Sequence, residues 1–193
     1  MSRFGLVGPT YTAQSPKFAC ERAINVYCEQ AETPNGGKSG SQMMLVKIPG
    51  LAVTHTLPDA PVRCLYSGDG LRVFAVSGAT LYEVFENGTY NALGTVEPGT
   101  SPAQIFSNGT SLFIVSGSSG YIADGVTVEK VVDCCMGEQL KGYYIALDGA
   151  QPGESKTFRI SGFNQGKSWD DLDIENVDQT ADNIQGMIVD HGQ

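Results

Sequence analysis

The sequence predicts an all-β chain: a β-propeller-like array of antiparallel blades, incomplete in this chain, with an irregular N-terminal arm. The first observation behind this is one phrase, Phe-x-(Val/Ile)-Ser-Gly, used three times. It occurs as Phe74-Ala75-Val76-Ser77-Gly78, Phe113-Ile114-Val115-Ser116-Gly117 and Phe158-Arg159-Ile160-Ser161-Gly162, at spacings of 39 and 45 residues. Self-similarity at that period marks units that cannot bury a hydrophobic face alone. The second is the form of the phrase, which alternates and then stops at a turn residue, as a strand entering a hairpin does. Four-stranded units of about 40–45 residues are propeller blades. The third is glycine, 24 of 193 residues, well above the usual share of about 7% and suited to many tight turns between short strands.

Residues 1–57 form the arm and its leading strands. Ala19 to Tyr27 has an ambiguous period, short helix or strand. Thr33 to Ser41 is a loop by composition, and Gln42 to Ile48 is a strand closed by Pro49-Gly50. A second apolar segment runs from Leu51 to Leu57.

The blades occupy 58–193, about three units and the start of a fourth. In the first, strands are expected over Val62–Tyr66, Arg72–Val76, Leu81–Phe85 and Tyr90–Val96, with Asn87-Gly88 as a hairpin turn. The second repeats this with Gln104–Phe106, Leu112–Val115, Tyr121–Ala123 and Val126–Val132. The third takes Tyr143–Leu147 as its first strand, then a longer turn from Asp148 to Glu154, Thr157–Ile160, and an outer segment around Trp169. A fourth begins at Ile184, where Met187 to Gly192 corresponds to a first strand and its turn. Phe74, Phe113 and Phe158 are therefore expected at matching positions, with Val76, Val115 and Ile160 on the same face two residues later. Three units and a fraction do not close a ring of four to eight blades. The expectation is a fragment of a longer protein, or an edge covered by another chain.

Composition narrows the function. The net charge of −9 disfavours nucleic-acid binding by counterion release. No apolar stretch approaches the ~20 residues of a membrane span, and the N-terminal apolar patch is too short for a signal segment. A reducing cytoplasm is the expected site of synthesis. Cys20, Cys28, Cys64, Cys134 and Cys135 are odd in number and lack Cys-x-x-Cys spacing, so they read as free thiols packed as small apolar groups.

Several motifs resemble chemistry without completing it. Gly37-Lys38-Ser39 and Gly162 to Ser168 imitate a phosphate-binding loop, but the first has Glu32 for its leading glycine and the second is one spacer short. Both read as hairpin turns. Asp171, Asp173, Glu175 and Asp182 follow calcium-loop spacing, but Asn176 replaces the required glycine, so the acidic run 170–175 reads as a solvated loop. Asn87-Gly88-Thr89 and Asn108-Gly109-Thr110 fit a glycosylation sequon and read as Asn-Gly turns. His55 and His191 lack a Gly-x-Ser-x-Gly partner. Trp169 reads as a strand residue packing between blades, with a sugar-stacking platform as the alternative. No catalytic, cofactor-binding or metal-ligating residue is expected, and no cofactor.

The arm carries a resemblance. Phe4 to Tyr11 contains Gly8-Pro9-Thr10-Tyr11, and Ser15, Arg22, Ile24, Asn25, Val26, Tyr27 and Glu29 follow in order. This resembles the start of the packaged-DNA stabilisation proteins of short-tailed bacteriophages, with their Gly-Pro-(Ser/Thr)-Tyr phrase and their later Ser-x-x-Ala-x-x-Arg-x-(Ile/Val)-Asn-(Leu/Val)-Tyr-x-Glu phrase. Cys28 stands where Pro is more usual. Ser161-Gly162 and Ser168 to Asp173 also look like the family's middle region, and family members are much longer. The resemblance implies a structural tail hub (head-closure protein) in the virion tail, made in the host cytoplasm. It implies a homo-oligomeric ring of six copies that closes the portal channel after DNA packaging. Its partners would be the portal adaptor, the tail needle, and tail fibres or spikes, with no sequence-specific nucleic acid and no membrane segment. In this reading the chain is not an enzyme, and Tyr11, Arg22, Asn25 and Tyr27 are either interface anchors or pins holding the arm to its own blades. The alternatives are a carbohydrate- or receptor-binding propeller of a host-recognition apparatus, and a hydrolase in which Asp171, Asp173 and Asp178 converge.

Overall fold

The computed structural model describes residues 26–30, 43–48, 50, 52–68, 72–178 and 182–190. The chain divides into two compact units, Met1–Val53 and Thr54–Gln193. In the first, β1 (Val26–Gln30) pairs antiparallel with β2 (Met43–Lys47), Val26 opposite Lys47. The apolar run at 42–48 thus forms its strand. Residues 1–25, 31–42, 49 and 51 of the arm lie outside the described residues, and with them Tyr11, Arg22, Asn25 and Gly37-Lys38-Ser39.

The second unit holds three four-stranded antiparallel sheets, each a simple meander. Sheet one is β3 (Val62–Ser67), β4 (Val73–Ser77), β5 (Thr80–Val84) and β6 (Tyr90–Thr95). Sheet two is β7 (Gln104–Ser107), β8 (Leu112–Ser116), β9 (Ser119–Ala123) and β10 (Val128–Asp133). Sheet three is β11 (Met136–Leu140), β12 (Tyr143–Leu147), β13 (Thr157–Gly162) and β14 (Gln165–Asn176). This is a blade-like array, not closed into a ring. The described residues 52–61 and 183–190 contain no strand.

Strand alternation sorts the side chains into two seams. Phe74, Val76, Cys64 and Tyr66 of sheet one pack against Ile105, Leu112, Ile114 and Ala123 of sheet two. The opposite face of sheet two, with Phe106, Phe113, Val115 and Ile122, packs against Tyr144, Ala146 and Trp169 of sheet three. Sheet two is covered on both faces, which is why every residue of β8 is buried.

The repeated phrase has a physical basis in the first two sheets. The Phe enters the seam, the Ser binds the linker that precedes the sheet, and the Gly makes room beside that linker. Ser77 Oγ donates to the Asp59 carbonyl, and Ser116 Oγ donates to the Glu97 carbonyl at 2.7 Å. Gly78 and Gly117 adopt φ of 55° and 64°. They also leave room for the acid: a Cβ on Gly78 would lie 2.9 Å from Asp59 Cβ, and one on Gly117 2.5 Å from the Glu97 carboxyl carbon. The Asp59 carboxylate accepts from Thr80 and Tyr82, and these bonds hold it below its usual pKa. That of Glu97 accepts from the Ser118 amide at 3.1 Å.

The third phrase departs from this pattern, which corrects the expected equivalence. Met136–Leu140 is the first strand of sheet three and Tyr143–Leu147 the second, so Phe158 lies on the third strand, β13. Phe74 and Phe113 are 4% and 0% exposed on second strands, whereas Phe158 is half-buried opposite Leu147. The strand-end bonds give the true alignment. Val96, Cys134 and Val177 amides donate to Ala79, Ser118 and Lys156 carbonyls. Asp148 and Gly149 therefore take the places of Ser116 and Gly117, and Gly149 to Lys156 is that tight turn enlarged. The acidic run is a second correction: residues 170–175 are not a loop but part of the outer strand β14.

Candidate functional site

Charged, aromatic and cleft-forming side chains meet at the second seam. Its centre is built from size complementarity. Phe113 projects from β8 and lies 5.2 Å from the Tyr144 ring and 5.6 Å from the Trp169 ring. Glycines make space for it: a Cβ on Gly120 or Gly137 would come within 2.8 or 2.7 Å of the Phe113 ring. Tyr144 is fully buried, and its hydroxyl donates to the Ser111 carbonyl at 2.6 Å, so its one polar atom is satisfied across the seam.

Trp169 is positioned by an irregular register between β13 and β14, around Ser161. Its Nε1 donates to the Gly166 carbonyl of its own strand at 2.7 Å. The indole is therefore a half-buried seam residue, the first of its two expected roles. It also forms one wall of a cleft of about 690 Å³ whose other walls include Lys130, Asp133, Asp148, Arg159 and Asp171. Arg159 Nε donates to Asp148 at 2.8 Å and Nη1 to the exposed Asp171 at 3.1 Å. Lys130 pairs with Asp133 at 2.6 Å. Both cations of the cleft are paired, yet its three acids outnumber them by one, so what it offers a ligand is a slightly acidic, hydrogen-bonding surface beside an aromatic edge.

The rim of the same seam carries a second ionic contact. Lys167 Nζ lies 2.8 Å from Asp124 and 3.0 Å from Glu129, joining the outer strand of sheet three to sheet two. The ammonium, with backbone amides of Thr127 and Val126, holds the Asp124 carboxyl well below the usual carboxylate range. Glu129 is lowered first by Lys167, then by Thr127.

The remaining candidates are dispersed. His55 Nε2 lies 2.7 Å from the Phe85 carbonyl, and His191 is outside the described residues. Cys64, Cys134 and Cys135 are free thiols, and burial pushes Cys134 up to about 12. Gly162 to Ser168 lies on the β13–β14 hairpin. In the sequon turns, the Asn87 and Asn108 side chains accept from the Thr89 and Thr110 amides. Among the described residues no three of His, Cys, Asp and Glu form a group able to hold a metal ion, so Asp171, Asp173 and Asp178 are not gathered into one. Among those residues, too, no helix is long and apolar enough to cross a membrane. Sequence reasoning missed the Arg159–Asp148–Asp171 and Lys167–Asp124–Glu129 clusters, whose members lie on different strands and just beyond strand ends and carry no local motif. No family model and no curated protein matches the sequence.

Proposed function

We propose that this chain is a non-enzymatic structural protein of a short-tailed phage, a tail hub that closes the portal channel after packaging and links the portal adaptor to the tail needle and fibres or spikes. The observation that carries this reading is the arm phrase from Ser15 to Glu29, with Gly8-Pro9-Thr10-Tyr11 before it. The fold is compatible with it: sheets locked by two apolar seams make a stiff scaffold. The exposed acids of β14, Asp170, Asp171, Asp173 and Glu175, suit a conduit wall that does not retain DNA. In this reading six copies form the ring in the assembled tail, and the arm joins it to its neighbours.

The test is deletion of residues 1–30, followed by co-purification with the portal–adaptor complex. The expected variant keeps its β-sheet circular dichroism and no longer joins the complex. Unfolding of the variant would make the arm a structural strand, and undiminished joining would remove its assembly role.

The carbohydrate-binding alternative rests on the Trp169 cleft. Binding on an oligosaccharide array that disappears with Asp148→Ala would favour it over the hub.

A further inference from the structure

Two turns of the blades carry the same tripeptide, Asn87-Gly88-Thr89 between β5 and β6 and Asn108-Gly109-Thr110 between β7 and β8. Locally they are near copies. Gly88 and Gly109 have φ of 88° and 87°. Each asparagine Oδ1 accepts from the threonine amide two residues on at 3.0 Å, and from the same threonine's hydroxyl at 2.7 and 2.9 Å. Their surroundings differ. Asn87, Gly88 and Thr89 are all exposed, and among the described residues the Asn87 side chain bonds only to Thr89. The Gly88 amide donates at 3.0 Å to the Phe85 carbonyl, which His55 also meets. Asn108 is half-buried, its Oδ1 accepts in addition from the Ser111 amide at 2.9 Å, and its Nδ2 is buried. The Asn108 amide donates to the Tyr144 hydroxyl at 3.2 Å, and that hydroxyl donates to the Ser111 carbonyl at 2.6 Å. The second turn is therefore tied across the second seam to sheet three, whereas the tip of the first is tied only to itself.

We propose that Asn87-Gly88 is a self-modifying site in the folded chain, and that Asn108-Gly109 is kept inert by Tyr144. Glycine supports such chemistry because no Cβ shields its amide nitrogen. The Gly88 nitrogen, its proton lost to hydroxide, attacks Asn87 Cγ. That nitrogen–carbon bond closes a cyclic imide as the Cγ–Nδ2 bond breaks, and Nδ2 takes a proton from water and leaves as ammonia. A second water opens the imide. Cleavage at Cγ gives aspartate, and cleavage at the main-chain carbonyl carbon gives isoaspartate, in which the backbone runs through the side chain. The turn must open first, because the attack breaks the Gly88–Phe85 and Asn87–Thr89 bonds. At an exposed hairpin tip that opening is local and small in free energy, whereas at Asn108 the Ser111 and Tyr144 contacts must part as well. The described Asp-Gly pairs are protected in another way: Asp124 is engaged by Lys167 and Asp148 by Arg159, and an ionised carboxylate is a poor target for a nucleophile. Asn35-Gly36 lies outside the described residues. Either product adds a negative charge to an already acidic chain, and isoaspartate also lengthens the main chain between β5 and β6. The inference does not depend on the tail-hub reading.

The test is incubation of the full chain in mildly alkaline buffer, one portion folded and one in concentrated urea. Peptide mass spectrometry with electron-transfer fragmentation then follows each asparagine and separates aspartate from isoaspartate. In urea the two tripeptides should convert at similar rates. In the folded chain Asn87 should convert several times faster than Asn108. Asn87→Gln should stop the conversion at its own turn and leave circular dichroism unchanged. Tyr144→Phe keeps the ring in the seam and removes the hydroxyl, so Asn108 should then convert at a rate approaching that of Asn87, which should itself be unaffected. Three results would each overturn the proposal: equal rates at the two turns of the folded chain, a folded chain in which Asn87 stays intact, or a Tyr144→Phe chain in which Asn108 is as inert as before. The comparison of folded with urea-treated protein needs no variant, so it decides the matter even where a substitution disturbs folding.

Discussion

Replacing Phe113 with alanine removes the side chain on which the second seam is centred. The ring is fully buried and lies 5.2 Å from Tyr144 and 5.6 Å from Trp169. Burial of such a side chain contributes about 3 kcal/mol, and two aromatic pairs add about 0.5–1.5 kcal/mol each. The sum, about 4–6 kcal/mol, overlaps the 3–5 kcal/mol typical of Phe→Ala in cores, so a loss of about 4 kcal/mol is expected. That is a large part of the roughly 5–15 kcal/mol that holds a domain folded. Gly137→Ala probes the same space from sheet three, since its new Cβ would lie 2.7 Å from the Phe113 ring and 2.8 Å from Val115. Overpacking there should cost about 1–3 kcal/mol. Combined with Phe113→Ala, the methyl enters vacated space, so the double variant should be less unstable than the sum by about 1 kcal/mol or more. Urea titrations followed by far-ultraviolet circular dichroism give all three numbers. A Phe113→Ala loss below about 1 kcal/mol, or strict additivity within about 0.3 kcal/mol, would refute this account of the seam.

Ser116→Ala removes one of the two donors to the Glu97 carbonyl, which still accepts from Arg63 Nη1, and should cost about 0.5–1.5 kcal/mol in the same titration; no loss would mean the linker is held by other contacts. Lys167→Ala should lower the unfolding midpoint near neutral pH, and concentrated salt should shrink the effect. Asp124 and Glu129 have lowered pKa values when folded, so their stabilisation is present above about pH 4 and is lost as pH falls through the lowered values. The gap between variant and wild type should therefore close on acidification, and a widening gap would contradict the assigned pairing. Gly88→Ala sets a left-handed residue, φ 88°, where nothing lies within 4 Å of the added Cβ. It should cost only backbone strain, about 1–2 kcal/mol, and a larger loss would reveal a contact that the turn geometry does not contain.

Most of the sheet architecture was readable because alternation and glycine turns are local signals. β4 and β8 are apolar stretches ending in Ser-Gly, and their geometry follows from that. Sheet three was harder for identifiable reasons. Met136-Gly137-Glu138-Gln139-Leu140 has little strand character of its own; Gly137 is there because the Phe113 ring, from another sheet, needs the space. The Phe158 phrase matched the earlier two by sequence alone, and the enlarged turn from Gly149 to Lys156 moved it one strand along. The run Asp170 to Glu175 looked like a loop because its side chains are solvated, yet its backbone pairs with β13, Ile174 opposite Arg159. Both charged clusters at the second seam depend on pairings between residues 11 to 43 apart in sequence, Arg159 to Asp148 and Lys167 to Asp124, which no spacing rule encodes.

Arg63 sets a timetable for the nascent chain. Its guanidinium is enclosed by carbonyls, with Nη1 donating to Gly78 and Glu97 and Nε to Ser101 at 2.7 Å, and the residue is 7% exposed. Ser101 is 38 residues further along the sequence. At synthesis rates of about 5–20 residues per second, roughly 2–8 seconds separate the appearance of the arginine from that of its last acceptor. During that interval the first sheet can pair its strands, but a permanent cation stands uncaged at its edge. Lysine holds its three donors on one atom, whereas here the carbonyls are met by two separate nitrogens of a rigid fork, Nε and Nη1. A ribosome stalled before residue 97 should therefore carry a first sheet that proteases cut readily, and one stalled well past residue 134 a protected pair.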